Sequence, residues 1–360
     1  MLPFLYNYIN QKLTNLKVMK KALKNIGLII LVGLSFASCD SSSDPITPTV
    51  VPSTFEFLFI KTSNDITGNS GLWNLKKEVT VGATFTVPTT LRSDDFATVA
   101  STIPTATILA NQCSAYDKIN KRYAVSSGER VIVYNFNTVS GAPTIENQIL
   151  VTNVQAMEFV NGRFFAIKNH KLNEYDITSP TPTPLTTSFA EITLMAGQVS
   201  NLTQKGNYMS VIAGGNLYII DVTGTGSVLP SYPQYLGTTD IYEGLEAINS
   251  AGSQFDLFVV KRNGVTNEFL KIDLSSTLAY SPSSLSTKYT LSFIDAASCK
   301  ISSALDYTTE FYYICSSNGA TTDSFSVTSI DLTPTNPSTY TPTSVSGAGN
   351  RYVFGLQLKD

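Results

Sequence analysis

One short pattern recurs along this chain: an apolar run that ends in Asp or Asn and then breaks into a polar turn. Its plainest copy is Leu217-Tyr218-Ile219-Ile220-Asp221-Val222-Thr223. Others stand at Leu72-Trp73-Asn74-Leu75, Val133-Tyr134-Asn135-Phe136, Glu174-Tyr175-Asp176-Ile177, Lys271-Ile272-Asp273-Leu274 and Ser329-Ile330-Asp331-Leu332. The polar positions 74, 135, 176, 221, 273 and 331 are spaced by about 41 to 61 residues. A four-stranded propeller blade takes ~40–50 residues, and loops absorb the excess. An Asp or Asn at a strand end can accept backbone N–H bonds from the following turn, so these residues read as turn formers rather than ligands.

Upstream of each copy lies a hairpin. Ala156-Met157-Glu158-Phe159 passes through Asn161-Gly162 into Arg163-Phe164-Phe165-Ala166-Ile167, and Val199-Ser200-Asn201-Leu202 through Lys205-Gly206 into Tyr208-Met209-Ser210-Val211-Ile212. Asn-Gly between apolar runs is a hairpin signal. Each unit therefore reads as strand A, turn, strand B, turn, strand C ending in the acid, then a polar strand D. The strand D candidates are residues 144–151, 184–189, 228–232 and 289–293. The first unit lacks a strand A, and the last segment, Arg351 to Leu358, is a strand without a unit. Joining the two closes a ring and removes exposed sheet edges. The expected fold is all-β: a β-propeller of six four-stranded blades closed by the C-terminal strand. Five or seven blades, or a multi-module β-sandwich, are the alternatives.

The first 38 residues hold five lysines and no acid, which leaves 19 basic against 27 acidic residues in the rest of the chain. An acidic body with scattered cations argues against a nucleic-acid partner. Within that N-terminal stretch, Met19-Lys20-Lys21 precedes an apolar run from Ile26 to Phe36, then Ala37-Ser38-Cys39-Asp40. The run suits the core of an export signal and is short for a membrane span. The segment resembles the lipobox of bacterial lipoprotein precursors, most of all those of Bacteroidota, although Phe36 stands where Leu is usual. The resemblance implies cleavage before Cys39, lipidation of Cys39, and anchoring at the outer membrane on its periplasmic side or at the cell surface. Several buried acyl chains suffice for this, at about 0.8 kcal/mol per CH₂. The domain reading is then 1–18 a start-site extension, 19–38 the signal peptide, 39–52 a proline-bearing tether, and 53–360 the propeller.

Sites are sparse. The only histidine is His170, and no G-x-S-x-G, phosphate-binding Gly loop, H-E-x-x-H or CxxC motif occurs. The densest acidic group near a blade entrance is Asp240-Ile241-Tyr242-Glu243-Gly244-Leu245-Glu246. Asp240, Tyr242, Glu243 and Glu246, with Glu158 from another unit, are the candidate channel-mouth residues, for a polar ligand or Ca²⁺. Cys299 and Cys315 fall on adjacent strands of the last full unit, so a disulfide and two buried thiols are both open. The expected function is a lipid-anchored binding or scaffold protein of the cell envelope, with a glycan or an envelope protein as partner. The alternative is a hydrolase or lyase acting on a polysaccharide through Glu158, Glu243 and Glu246, since paired carboxylates alone can perform glycoside chemistry.

Overall fold

A computed structural model describes residues 54–63, 72–81, 84–85, 89–95, 113–237, 240–250, 254–262, 267–282, 285–291, 300–306, 311–317, 324–332, 343–346 and 350–359. All of them belong to one compact unit, Pro52–Asp360. They form six antiparallel sheets. The first joins the two ends of this unit: Asn350–Leu358 pairs with Thr54–Ser63, which pairs with Leu72–Val81, and Thr84–Phe85 and Thr89–Asp95 both pair with the latter. The second is Ser114–Asp117, Arg122–Ser126, Val131–Asn135 and Thr144–Ile149. Next comes Val154–Val160, Arg163–Lys168, Lys171–Tyr175 and Ile192–Thr193. The fourth is Thr203–Lys205, Tyr208–Ala213, Asn216–Asp221 and Ser227–Val228, with Gln234–Tyr235 also pairing Asn216–Asp221. The fifth is Ile241–Ser250, Gln254–Arg262, Asn267–Leu274 and Leu285–Thr290, and the sixth Lys300–Asp306, Phe311–Ser317, Ser324–Asp331 and Thr343–Ser346.

The core is divided by the sheets. Each of six hydrophobic clusters lies between two consecutive sheets: Leu58, Ile60 and Tyr134 between first and second, for example, and Ile212, Leu217 and Val259 between fourth and fifth. The sixth sheet packs on the first through Tyr313, Phe57 and Phe59, with the Phe57 and Tyr313 rings edge to face at 4.6 Å. A sheet flanked on both sides must bury both faces of its strands, which explains continuous apolar runs where alternation would serve a half-solvated sheet. Val131, Ile132, Val133 and Tyr134 are all fully buried. The innermost strands also meet in succession: Asn350–Leu358 touches Ser114–Asp117, which touches Val154–Val160, then Thr203–Lys205, Ile241–Ser250, Lys300–Asp306 and back to Asn350–Leu358. This is a β-propeller.

Side chains stitch the innermost strands together. The Asn201 amide clamps Leu245, donating to its carbonyl (2.7 Å) and accepting from its N–H (2.6 Å). Gln198 treats Tyr242 likewise, at 2.9 and 3.1 Å. Two glycines with positive φ, Gly244 (+66°) and Gly355 (+74°), sit at ladder irregularities, and each carbonyl accepts a bond from a tyrosine hydroxyl of a neighbouring sheet, Tyr312 and Tyr123 respectively. A Cβ at either glycine would run into that hydroxyl.

Turn chemistry follows expectation at Asn135, Asp176 and Asp221, whose side-chain oxygens accept from the N–H two residues on at 2.7, 2.9 and 2.8 Å. Asp273 lies 2.5 Å from Lys271, which also holds the fully buried Asp256 at 2.9 Å. The outermost strand of the third sheet is Ile192–Thr193 rather than residues 184–189, because Pro184 makes only a lone bridge to Tyr175. The innermost strand of the fourth sheet is Thr203–Lys205, with Val199 in a single bridge to Ala213. The innermost strand of the fifth sheet already begins at Ile241, and Gly244 gives the bulge that lets pairing run on to Ser250.

Candidate functional site: one end of the central channel

All six innermost strands contribute to one cavity of about 340 Å³. It lies towards their C-terminal ends, because the lining includes Asp117, Phe159, Leu305 and Leu358, each at or near the last position of its strand. The wall is divided. Glu158 of the third sheet, Gln204 of the fourth and Glu246 of the fifth are neighbours around the ring. Ala304 and Leu305 of the sixth sheet and Leu358 of the first give an apolar wall on the other side. Gln357 is held back by its amide, which donates to the carbonyl and hydroxyl of Ser114 at 3.2 and 3.1 Å.

The two carboxyls are the reactive feature. Burial drives Glu158 well above the ordinary glutamate range; the Phe159 N–H, donating at 2.8 Å, opposes this, and the nearby charges of Glu246 and Asp117 add to it. Burial likewise lifts Glu246 to about 7, against the Ser303 hydroxyl that donates to it at 2.7 Å. Asp117 is taken up by its own turn, accepting from the N–H groups of Ile119 (3.0 Å) and Asn120 (3.2 Å) and the Asn120 amide (2.7 Å).

Of the residues singled out from sequence, Glu158 and Glu246 meet here. Asp240, Tyr242 and Glu243 do not line the cavity. Asp240 lies 3.6 Å from Lys261, Tyr242 is buried against the fourth sheet, and Glu243 is bound to Arg262 at 2.8 Å with both side chains buried. For a cation such as Ca²⁺ this end of the channel offers Glu158 and Glu246; among the described residues, no three His, Cys, Asp or Glu converge. His170 occupies a turn with φ +59°, its N–H donating to Gln155 at 2.7 Å. Cys39 and Cys299 lie outside the described residues, and the backbone of Cys315 is paired with Ser302 in its ladder. Cys113 is buried, with its thiol 3.7 Å from the Val154 carbonyl.

Sequence reasoning missed Gln204, Gln357 and the apolar wall. One signal was available: Gly244-Leu245-Glu246 and Gly355-Leu356-Gln357 are the same tripeptide pattern, and their third residues both reach the cavity. It also missed Arg163, which binds Glu174 through two bonds (3.0 and 2.7 Å) and crosses to the Val222 carbonyl of the fourth sheet (2.7 Å). Glu174 pays a burial penalty, yet the bonds from Arg163 and Ser188 outweigh it and leave its carboxyl below the usual range.

No family model matches the chain, and no curated protein does. Among solved structures, it is similar to TolB from Acinetobacter baumannii, at 13% identity and a TM-score of 0.51, over 85% of this chain and 66% of that one. This chain thus spans just under two thirds of that protein. A hypothetical selenium-binding protein from Sulfolobus tokodaii aligns over 82% of this chain and 76% of its own length, at 8% identity and a TM-score of 0.50. At such identities the likeness speaks to architecture alone, and the architecture it supports is the all-β propeller.

Proposed function

We propose that this chain is a lipid-anchored binding module of the bacterial cell envelope, a six-bladed propeller closed by its C-terminal strand, that takes its ligand in the channel cavity. One observation carries the reading: all six innermost strands converge on one cavity, lined by polar and apolar groups, in which two half-buried glutamates stand with raised carboxyls. Cavities of ~300–1,000 Å³ with a few converging polar groups are the usual form of small-molecule sites. The blade count rests on six sheets and six intervening clusters, the last joining the sixth sheet to the first.

The anchor reading rests on the segment ending in Ala37-Ser38-Cys39. Thr54–Ser63 starts at the same end of the sheets as the cavity, since Phe57 pairs with Leu358 of its lining. The hydrolase or lyase reading retains only Glu158 and Glu246, because Glu243 is bound to Arg262.

The test is processing in cells. Globomycin and a Cys39→Ala substitution should each leave an unprocessed precursor, and the variant should lose acylation. Unchanged processing and unchanged membrane retention would remove the anchor.

A further inference from the structure

The divided wall of the cavity selects among ligands. Glu158 and Glu246 sit on the third and fifth sheets with Gln204 between them, while Ala304, Leu305 and Leu358 face them from the other side. We infer that the cavity binds a compact primary amine, its ammonium held between Glu158 and Glu246 and its apolar body laid against Ala304, Leu305 and Leu358. This rests on the reading of the cavity as the binding site and names the ligand class.

Two half-buried carboxyls lining the same cavity, each raised by partial desolvation, are costly as anions. An ammonium group offers three donors and a positive charge, and so satisfies two carboxylates and an amide oxygen at once. A neutral polyol would leave the apolar side of the cavity uncovered, and an anion would meet like charge. The other titratable groups around the pair are Tyr116, Asp117 and Lys118 of the second sheet and Tyr312 of the sixth. Asp117 is engaged by its turn, Lys118 is exposed at the rim, and burial raises Tyr312 far out of its usual range, so it stays neutral. Glu158 and Glu246 are left as the groups whose protons an arriving amine displaces.

The sign of the pH effect follows. Both carboxyls are raised, and Glu246, at about 7, passes from protonated in mild acid to ionised in mild alkali, while a primary amine stays charged throughout. Binding strengthens as pH rises and releases protons.

The test is isothermal titration of the full chain in detergent with phenethylamine, and with 2-phenylethanol as the neutral match. The expected result is saturable binding of the amine at pH 8, weakened by about tenfold or more at pH 5.5 as the site protonates, and no binding of the alcohol. Titrations in buffers of different ionisation enthalpy should show net proton release on the unmodified chain. Glu246→Gln, which preserves side-chain shape, should weaken the amine by about tenfold or more, whereas Glu191→Gln, outside the cavity, should not. Equal binding of amine and alcohol, no proton release at pH 7, or indifference to Glu246→Gln would each overturn the amine assignment. Alcohol binding alone would do so while leaving a ligand site in the channel, and none of these outcomes bears on Cys39.

Discussion

Gly355→Ala isolates the contact by which the C-terminal strand joins the second sheet. At φ +74°, an alanine there carries the left-handed penalty of about 1–2 kcal/mol. Its Cβ would also stand 2.5 Å from the Tyr123 hydroxyl and 3.2 Å from Val125 Cγ2, in a fully buried site. That hydroxyl donates to the Gly355 carbonyl at 2.6 Å, so it cannot withdraw without breaking a buried bond. Overpacking of this kind costs about 1–3 kcal/mol, which gives a total of roughly 2–5 kcal/mol. Gly206→Ala is the control: φ is +57°, but nothing lies within 4 Å of the added carbon, so only the backbone penalty of about 1–2 kcal/mol applies. Urea unfolding followed by tyrosine fluorescence and far-UV circular dichroism measures both. Tyr123→Phe removes the atom that clashes, so the double variant should be less destabilised than the two single costs combined. Equal midpoints for Gly355→Ala and Gly206→Ala, or strict additivity with Tyr123→Phe, would refute the packing of the last strand against Tyr123.

Four further outcomes follow from the same geometry. Lys271→Met leaves Asp256 buried without its cation and should cost about 3–5 kcal/mol by urea unfolding, as for other broken buried pairs. Arg163→Ala should cost about 1.5–3 kcal/mol, the range for bonds to charged groups. Because the Glu174 carboxyl is depressed in the folded state, its contribution is present above the unfolded pKa and lost as pH falls through the folded one; the variant should therefore show a shallower acid dependence of its melting temperature. Glu246 works in the opposite direction: its folded value of about 7 exceeds its unfolded one, so the native state holds the extra proton and stability falls as pH rises between the two. Glu246→Gln should stabilise the chain at pH 8, on the order of 2–3 kcal/mol, and leave it little changed at pH 4.

The parts of the fold legible in the sequence are those set by local chemistry. Asn135, Asp176 and Asp221 cap their own turns, and the continuous runs such as Val131–Tyr134 carry the mark of strands buried on both faces. The free C-terminal strand and the strand beginning at Thr54 were legible as partners because each lacked one. What was illegible depends on register and on neighbours far along the chain. Asp273 also meets Lys271, whose partner Asp256 lies on the adjacent strand, a pairing no local pattern announces. The acidic stretch at Asp240 looked like a channel mouth, yet the Gly244 bulge carries it into a strand where Glu243 meets Arg262 and only Glu246 reaches the cavity. The cavity lies towards the C-terminal ends of the innermost strands, lined mostly by residues of six strands that are far apart in the chain.

The central claim is that Glu158 and Glu246 share one cavity where the six innermost strands meet. Its most direct measurement is a pH titration of ¹³C-labelled glutamate carboxyls by NMR, assigned with Glu158→Gln and Glu246→Gln. The account predicts that Glu246 titrates near 7 and Glu158 well above the ordinary glutamate range, with Glu158 moving down when Glu246 is replaced by Gln. Two carboxyls titrating independently near about 4.3, the unperturbed value, would contradict it.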